Sequence, residues 1–223
     1  MLRRSFKATL KPVYVLLRQA ITTILERRAG IDTSQRFEPE ELGFAPEHRS
    51  GYAPAGWLFL RRILRRREVS STDVFLDLGS GMGRVVYQAA AGYSFARVIG
   101  VELSPKLDAV ARQNIERTRH RLRCRNVELV LSDVLDYEIP DEVTIVFLSN
   151  PFGGPVLQAV VDKLAASVER RPRRLRLLYL NPIEERRLLA AGFRLTKAAR
   201  GMRPTAEWSR SNSIRMYELG RPP

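Results

Sequence analysis

Three glycines at alternate positions, in Asp77-Leu78-Gly79-Ser80-Gly81-Met82-Gly83, constrain this chain more than any other feature. They follow the apolar run Val74–Leu78 and precede a stretch, residues 84–92, that suits a helix. A strand that must turn into a helix over so few residues needs glycine, which takes positive φ at no steric cost and lets a ligand approach the main chain closely. The helix opening behind such a turn presents unpaired N–H groups.

From residue 73 onward the same alternation continues. Apolar runs at Val74–Leu78, Arg97–Glu102, Val127–Leu131, Val143–Leu148 and Leu175–Leu180 are separated by predicted helices over 84–92, 105–120 and 154–169. The runs are continuously apolar, as in strands covered on both faces. Alternating strands and helices imply an α/β fold with a doubly wound, mostly parallel sheet and right-handed crossovers. The end differs, because Phe193–Ala199 and Ile214–Leu219 read as two successive strands around a loop containing Gly and Pro.

The first strand ends at Asp77 and Leu78, and the second at Glu102. An acid about 20 residues beyond the glycines is where doubly wound folds grip a ribose hydroxyl pair. The dinucleotide fingerprint asks for glycine at the sixth position of its loop, and that position is Arg84 here. A carboxylate at Asp77 repels a pyrophosphate but suits an amino group. No Gly-Lys-Ser/Thr follows, which removes a Walker loop. A ligand with a ribose, an ammonium end and no phosphate answers all of these constraints.

These residues resemble the cofactor half of the class I S-adenosylmethionine-dependent methyltransferases. "DLGSGMGR" is similar to that family's first motif and "VIGVELSP" to its second. "LVLSDVLDY" is similar to the segment whose acid meets the adenine amino group, and "FLSNPFGG" lies where the family places its catalytic fourth motif. The resemblance covers residues 73–152 most closely. It implies S-adenosyl-L-methionine as cofactor and a seven-stranded sheet with the last strand antiparallel. It assigns cofactor binding to Asp77, Gly79, Ser80, Gly81 and Gly83, to Glu102 with Leu103, to Asp133 with Val134, and to Asn150. It divides the chain into an N-terminal helical arm and cofactor lid, residues 1–68, and a methyltransferase domain, residues 69–223.

The catalytic candidates are Asn150, Pro151 and Phe152. The Asn150 amide oxygen and the Pro151 carbonyl would accept the hydrogens of an acceptor amine, and Phe152 would wall it. The plain alternative for Asn150-Pro151 is a turn after a buried strand, as at Asn181-Pro182. For Asp133 the plain alternative is a cap or turn. The triplet is similar to the Asn/Asp-Pro-Pro-aromatic motif of amino-group methyltransferases, departing at its third position. It is also similar to the Asn-Asn-Phe segment of the non-SET histone-lysine methyltransferases, departing at Pro151. "DLGSGMGRVV" resembles the turn of that second family, and "DLGSGMGR…GVELSP" that of small protein-lysine methyltransferases with an N-terminal apolar helix. These similarities favour a protein lysine as acceptor. An RNA base or a small metabolite is the competing acceptor.

Ahead of the sheet, residues 12–28 read as a helix. Val13, Leu16, Leu17, Ala20, Ile21, Ile24 and Leu25 form one apolar stripe, with Pro12 and Gly30 at the ends. Two readings fit, a helix packed on the main domain and a basic amphipathic helix lying on an anionic membrane through residues 1–28. Residues 31–56 are loop-like, and Trp57–Leu64 is a further helix ending in Arg65-Arg66-Arg67, a solvated end. Tyr52 and Trp57 are candidates for the lid or acceptor pocket, against plain packing of the arm.

Net charge is +14, which favours an acidic partner such as nucleic acid, yet 33 of the 38 basic residues are Arg and no nucleic-acid motif accompanies them. Arg runs at 117–125 and 170–176 are solvated helix faces or steering charges. A basic nucleic-acid-binding module with a vestigial cofactor fold is therefore the competing class. Cys124 is the only cysteine and His48 and His120 the only histidines, so neither a disulfide framework nor a metal site is expected, and a cytoplasmic location fits. No apolar run reaches the ~20 residues of a membrane span. Arg18 interrupts the N-terminal apolar run and no small-residue cleavage site follows, which argues against a signal peptide.

Overall fold

The computed structural model describes residues 16–17, 19–44, 48–199 and 213–220. Seven strands form one sheet: β1 (Val74–Leu78), β2 (Arg97–Glu102), β3 (Val127–Leu131), β4 (Val143–Leu148), β5 (Leu175–Leu180), β6 (Arg194–Ala199) and β7 (Ile214–Leu219), in the order β3-β2-β1-β4-β5-β7-β6. The first five pair in parallel, and β7 runs antiparallel between β5 and β6. This is the doubly wound sheet implied by the sequence. The Gly/Pro loop expected between the last two strands, and the start of the expected N-terminal helix, fall on residues outside those described.

Burial explains why these runs are strands. Every residue of β1 and β5 is buried, whereas the edge strands β3 and β6 are largely half-buried or exposed. Arg194 and Lys197 on β6 put charge on an open edge, which discourages further strand pairing. Phe75, Ile145, Phe147 and Leu178 point to one face, and Leu76, Val146, Leu148 and Leu177 to the other.

Helices cover both faces: α1 over residues 16–17 and 19–29, α2 (Phe59–Ile63), α3 (Arg84–Gly92), α4 (Pro105–Thr118), α5 (Gly154–Arg170) and α6 (Glu185–Ala190). The helix expected over 105–120 ends at Thr118 and tightens into a 3₁₀ turn at Arg119–Arg121, and the one expected at Trp57–Leu64 is shorter, Phe59–Ile63. Ala29, Ile31, Leu60, Ile63 and Leu64, all ahead of the sheet, join the core on the α3 side.

The arm docks in an unexpected way. The predicted packing stripe of α1 faces outward: Leu17 is 58% exposed, Ile21 48% and Ile24 52%. The helix is held instead by Glu26 and Ala29 on its opposite side, both buried. The charge runs are also partly structural. The Arg173 guanidinium donates to the carbonyls of Val143 and Ser167 and to Ser167 Oγ, and Arg176 is buried with a 3.0 Å ion pair to Asp73.

Candidate active site

Winding reverses between β1 and β4, and the crevice outside the carboxyl ends of the strands at such a switch point is where ligands bind. The glycine turn follows β1 there, Glu102 ends β2, and Asn150-Pro151-Phe152 follows β4. A small cleft of about 90 Å³, open at its mouth, lies among them.

The turn is built as the sequence demands. Gly79 and Gly81 have φ of 77° and 56°. A Cβ on Gly79 would lie 2.2 Å from Pro151 Cβ, and one on Gly81 would lie 2.2 Å from Tyr52 Cε2. The turn is therefore pressed between the Asn-Pro loop and a tyrosine of the arm. Gly83, with φ 80°, starts α3 and rests on Ala111 of α4 rather than lining the cleft.

Glu102 is 6% exposed and is held at both oxygens, Oε2 accepting from Gly81 N at 2.7 Å and Oε1 from Ser104 N at 2.8 Å. Burial raises its carboxyl above the ordinary value, against the pull of these N–H donors. Four lone-pair sites leave room for further donors such as a hydroxyl pair. Asp77 is 2% exposed, and among the described residues no ion pair or hydrogen bond reaches its carboxyl. Burial, with the like charge of Glu102 adding to it, pushes Asp77 well above the usual carboxylate range. Ser80 Oγ, in the turn itself, is buried and without a hydrogen-bond partner among the described residues. A buried carboxyl lacking a cation and an orphaned hydroxyl are what an ammonium-bearing nucleoside would satisfy, so these residues fit S-adenosyl-L-methionine.

The Asp77 shift has a measurable sign. A carboxyl whose folded value is raised contributes stability below its unfolded pKa of 3.8, and that contribution is lost as pH rises toward the folded value. Asp77→Asn cannot ionise. The ligand-free variant is expected to melt above the unsubstituted protein at pH 7, with the difference shrinking toward pH 4, while its affinity for an ammonium ligand falls. Thermal melts at the two pH values, with and without ligand, check this; a difference independent of pH would contradict it.

The remaining candidates divide. Leu103, Val134, Asn150, Pro151 and Phe152 line the cleft, and Asp133 does not. Asp133 Oδ1 accepts from Leu135 N at 2.9 Å, a local turn contact, and its other oxygen pairs with Arg49. Arg49 lines the cleft in its place. Tyr52 lines the cleft too, its hydroxyl donating to Thr33 O at 3.0 Å, whereas Trp57 packs edge-on to Tyr87 in the core.

The Asn-Pro loop is braced from both sides. Asn150 and Asn181 both adopt positive φ, 52° and 54°, and Asn150 Nδ2 donates to Asn181 O at 2.6 Å. The amide nitrogen is thereby committed, which leaves Oδ1 as the acceptor that this side chain offers. The Pro151 carbonyl accepts from Ser50 N at 3.0 Å, and Gly153 N donates to His48 O at 2.9 Å. Pro151 thus joins the arm to the sheet, and of the two expected amine acceptors Asn150 Oδ1 is the one that no main-chain donor among the described residues holds. A second cavity, lined by His48, Tyr179, Ile183 and Glu184, shares Asn150 and Phe152 with the first.

Two residues escaped the sequence reading. Arg49 gives no signal of its own in a loop-like stretch. Arg84 did give one, as the misfit at the sixth loop position. It is 4% exposed, its Nη2 pairs with Glu26 at 2.7 Å, its Nε donates to Thr33 Oγ1 and its Nη1 to Ala55 O, and its guanidinium lies 5.4 Å over the Trp57 ring. The arginine anchors the arm to the helix that follows the glycine turn. Among the described residues no cluster of His, Cys, Asp and Glu is arranged to hold a metal ion.

A profile of the family described as "Histone methylation protein DOT1" matches residues 50–182. A Drosophila melanogaster protein named histone-lysine N-methyltransferase, H3 lysine-79 specific, is 29% identical over 136 residues, 56% of this chain and 7% of that protein. A Saccharolobus islandicus protein-lysine N-methyltransferase is 35% identical over 66 residues, 30% of this chain and 41% of that protein. The chain thus spans less than half the length of these curated relatives. The crystal structure of an RNA methyltransferase from Salinibacter ruber in complex with S-adenosyl-L-homocysteine superposes with a TM-score of 0.49 at 23% identity, over 76% of this chain and 94% of that one.

Proposed function

The chain belongs to the DOT1 family of histone methylation proteins and is a class I S-adenosyl-L-methionine-dependent methyltransferase, and we propose on that premise that its acceptor is the side-chain amine of a protein lysine. The observation that carries this reading is the fixed orientation of Asn150 where the two cavities meet. The cofactor supplies an activated methyl group on a sulfonium, so the protein contributes alignment and a suitable polar environment.

Asn150 Oδ1 accepts an N–H of the acceptor amine and aims its lone pair across the junction. Phe152, 5% exposed and with its backbone bridged to Arg49, walls that passage. Glu184 lines the approach, its carboxyl held below the ordinary value by Arg187 and the Gly154 N–H. An ionised carboxylate there suits a cationic side chain on its way in. Asp77 and Glu102 hold the amino-acid and ribose ends of the cofactor, and the strap carrying Arg49 and Tyr52 covers it. We read residues 1–68 as arm and lid and 69–223 as the methyltransferase domain, with Asp133 reaching the adenine once Arg49 yields. The lone buried thiol of Cys124 suits a reducing cytoplasm as its compartment.

The test is incubation of the protein with a cell extract and isotopically labelled methyl donor. Label is expected in protein, at lysine. Label in RNA or in small molecules alone would reject the lysine acceptor. Asn150→Ala is expected to lower kcat by about 10²-fold, the scale of a 1 Å misplacement at a reacting centre, and unchanged kcat would remove Asn150 from its role.

A further inference from the structure

The outward stripe of α1 is an apolar feature that the active site does not use. Leu17, Ile21 and Ile24 recur at helical spacing, each about half exposed or more. Apolar helix faces that wide are ordinarily covered. The helix is fixed to the domain by its other side and its end, through the Glu26–Arg84 pair and through Arg121, which donates to the Ala29 carbonyl at 3.0 Å. The stripe is therefore presented outward by a firmly seated helix.

We propose that this stripe lies in the surface of an anionic lipid bilayer. Charge selects that occupant. Residues 1–31 carry seven basic residues (Arg3, Arg4, Lys7, Lys11, Arg18, Arg27 and Arg28) and a single acid, Glu26. Glu26 is 8% exposed and committed to Arg84, so no carboxylate of this segment answers the positive charge. Two copies meeting through this net-positive segment would repel each other. An anionic leaflet attracts them and accepts the apolar stripe, the arrangement of helices that lie in the interface plane. No described helix is long and apolar enough to cross a membrane, which is in keeping with a helix that lies on one.

The test is flotation of the full chain with phosphatidylcholine vesicles, with and without phosphatidylglycerol. Binding is expected to be about tenfold or more stronger to the anionic vesicles, since each basic residue near such a surface adds attraction. The triple variant Leu17→Asp/Ile21→Asp/Ile24→Asp is expected to lose that binding by about tenfold or more while keeping its melting temperature and cofactor affinity, because the three side chains are exposed. Equal binding to neutral vesicles, no binding to either, or undiminished binding by the triple variant would each overturn the proposal. So would a concentration-dependent dimer of the unsubstituted chain that the triple variant abolishes, since the stripe would then be covered by a second copy.

Discussion

Gly81→Val is expected to abolish cofactor binding, lowering affinity for S-adenosyl-L-methionine by at least about 10²-fold. Three effects add at that position. Its φ of 56° is one a β-branched residue takes only under strain, costing about 1–3 kcal/mol. Its Cβ would sit 2.2 Å from Tyr52 Cε2, a ring whose hydroxyl is tied to Thr33 O, so the tyrosine cannot swing aside without breaking that tie. Its N–H donates to Glu102 Oε2 at 2.7 Å, so a shifted backbone also releases the acid that we propose meets the ribose. Every 1.4 kcal/mol is a factor of ten in affinity, so the strain together with either displacement reaches the stated loss. Gly92→Ala is the control: it lies at the end of α3 at negative φ with nothing within 4 Å of its Cβ, and binding there should not change. Calorimetric titration of both variants reads the result, and unaltered affinity in Gly81→Val would dissociate the turn from the cofactor.

Arg84→Met is expected to cost about 3–5 kcal/mol of stability, the scale of removing one partner from a buried ion pair. At the size of this chain that is a fall in melting temperature of about 10 °C. The loss is large because Glu26 remains buried, with Thr33 N at 2.9 Å and Thr33 Oγ1 at 2.6 Å as donors but no cation. The double variant Arg84→Met/Glu26→Gln removes the stranded charge and is expected to recover part of the loss. The pair also predicts a pH dependence. Burial raises the Glu26 carboxyl, and the bonds from Ser34, Thr33 and Arg84 outweigh it and hold the group below its ordinary 4.5. A depressed carboxyl stabilises the fold above its unfolded pKa and loses that contribution as pH falls through the folded value. The difference in melting temperature between the unsubstituted protein and Arg84→Met should therefore be full at neutral pH and narrow below about pH 4.5.

The fold was legible because its strands are long apolar runs bounded by turn residues, and burial on both faces leaves no competing pattern. β1 and β5 are buried at every position. The glycine turn was legible because positive φ at Gly79 and Gly81 is a demand that few other residues meet. The arm was not. Periodicity located an apolar stripe on α1 but carries no information about which way the stripe faces, and the docking depends on Glu26 meeting Arg84 across 58 residues of sequence. The same limit hid Arg49, which reaches Asp133 across 84 residues. Asn150 was legible as a candidate, but the bond from its amide nitrogen to Asn181 O, which orients it, joins two Asn-Pro turns that sequence could only note separately.

We propose that a buried Asp77 and a backbone-held Glu102 make a nest for a nucleoside with an ammonium end and no phosphate. Titration of the unsubstituted chain with S-adenosyl-L-homocysteine and, in parallel, with NADH tests it most directly. Saturable binding of the homocysteine nucleoside with no detectable binding of NADH is the predicted result; the reverse, or no binding of either, would contradict it.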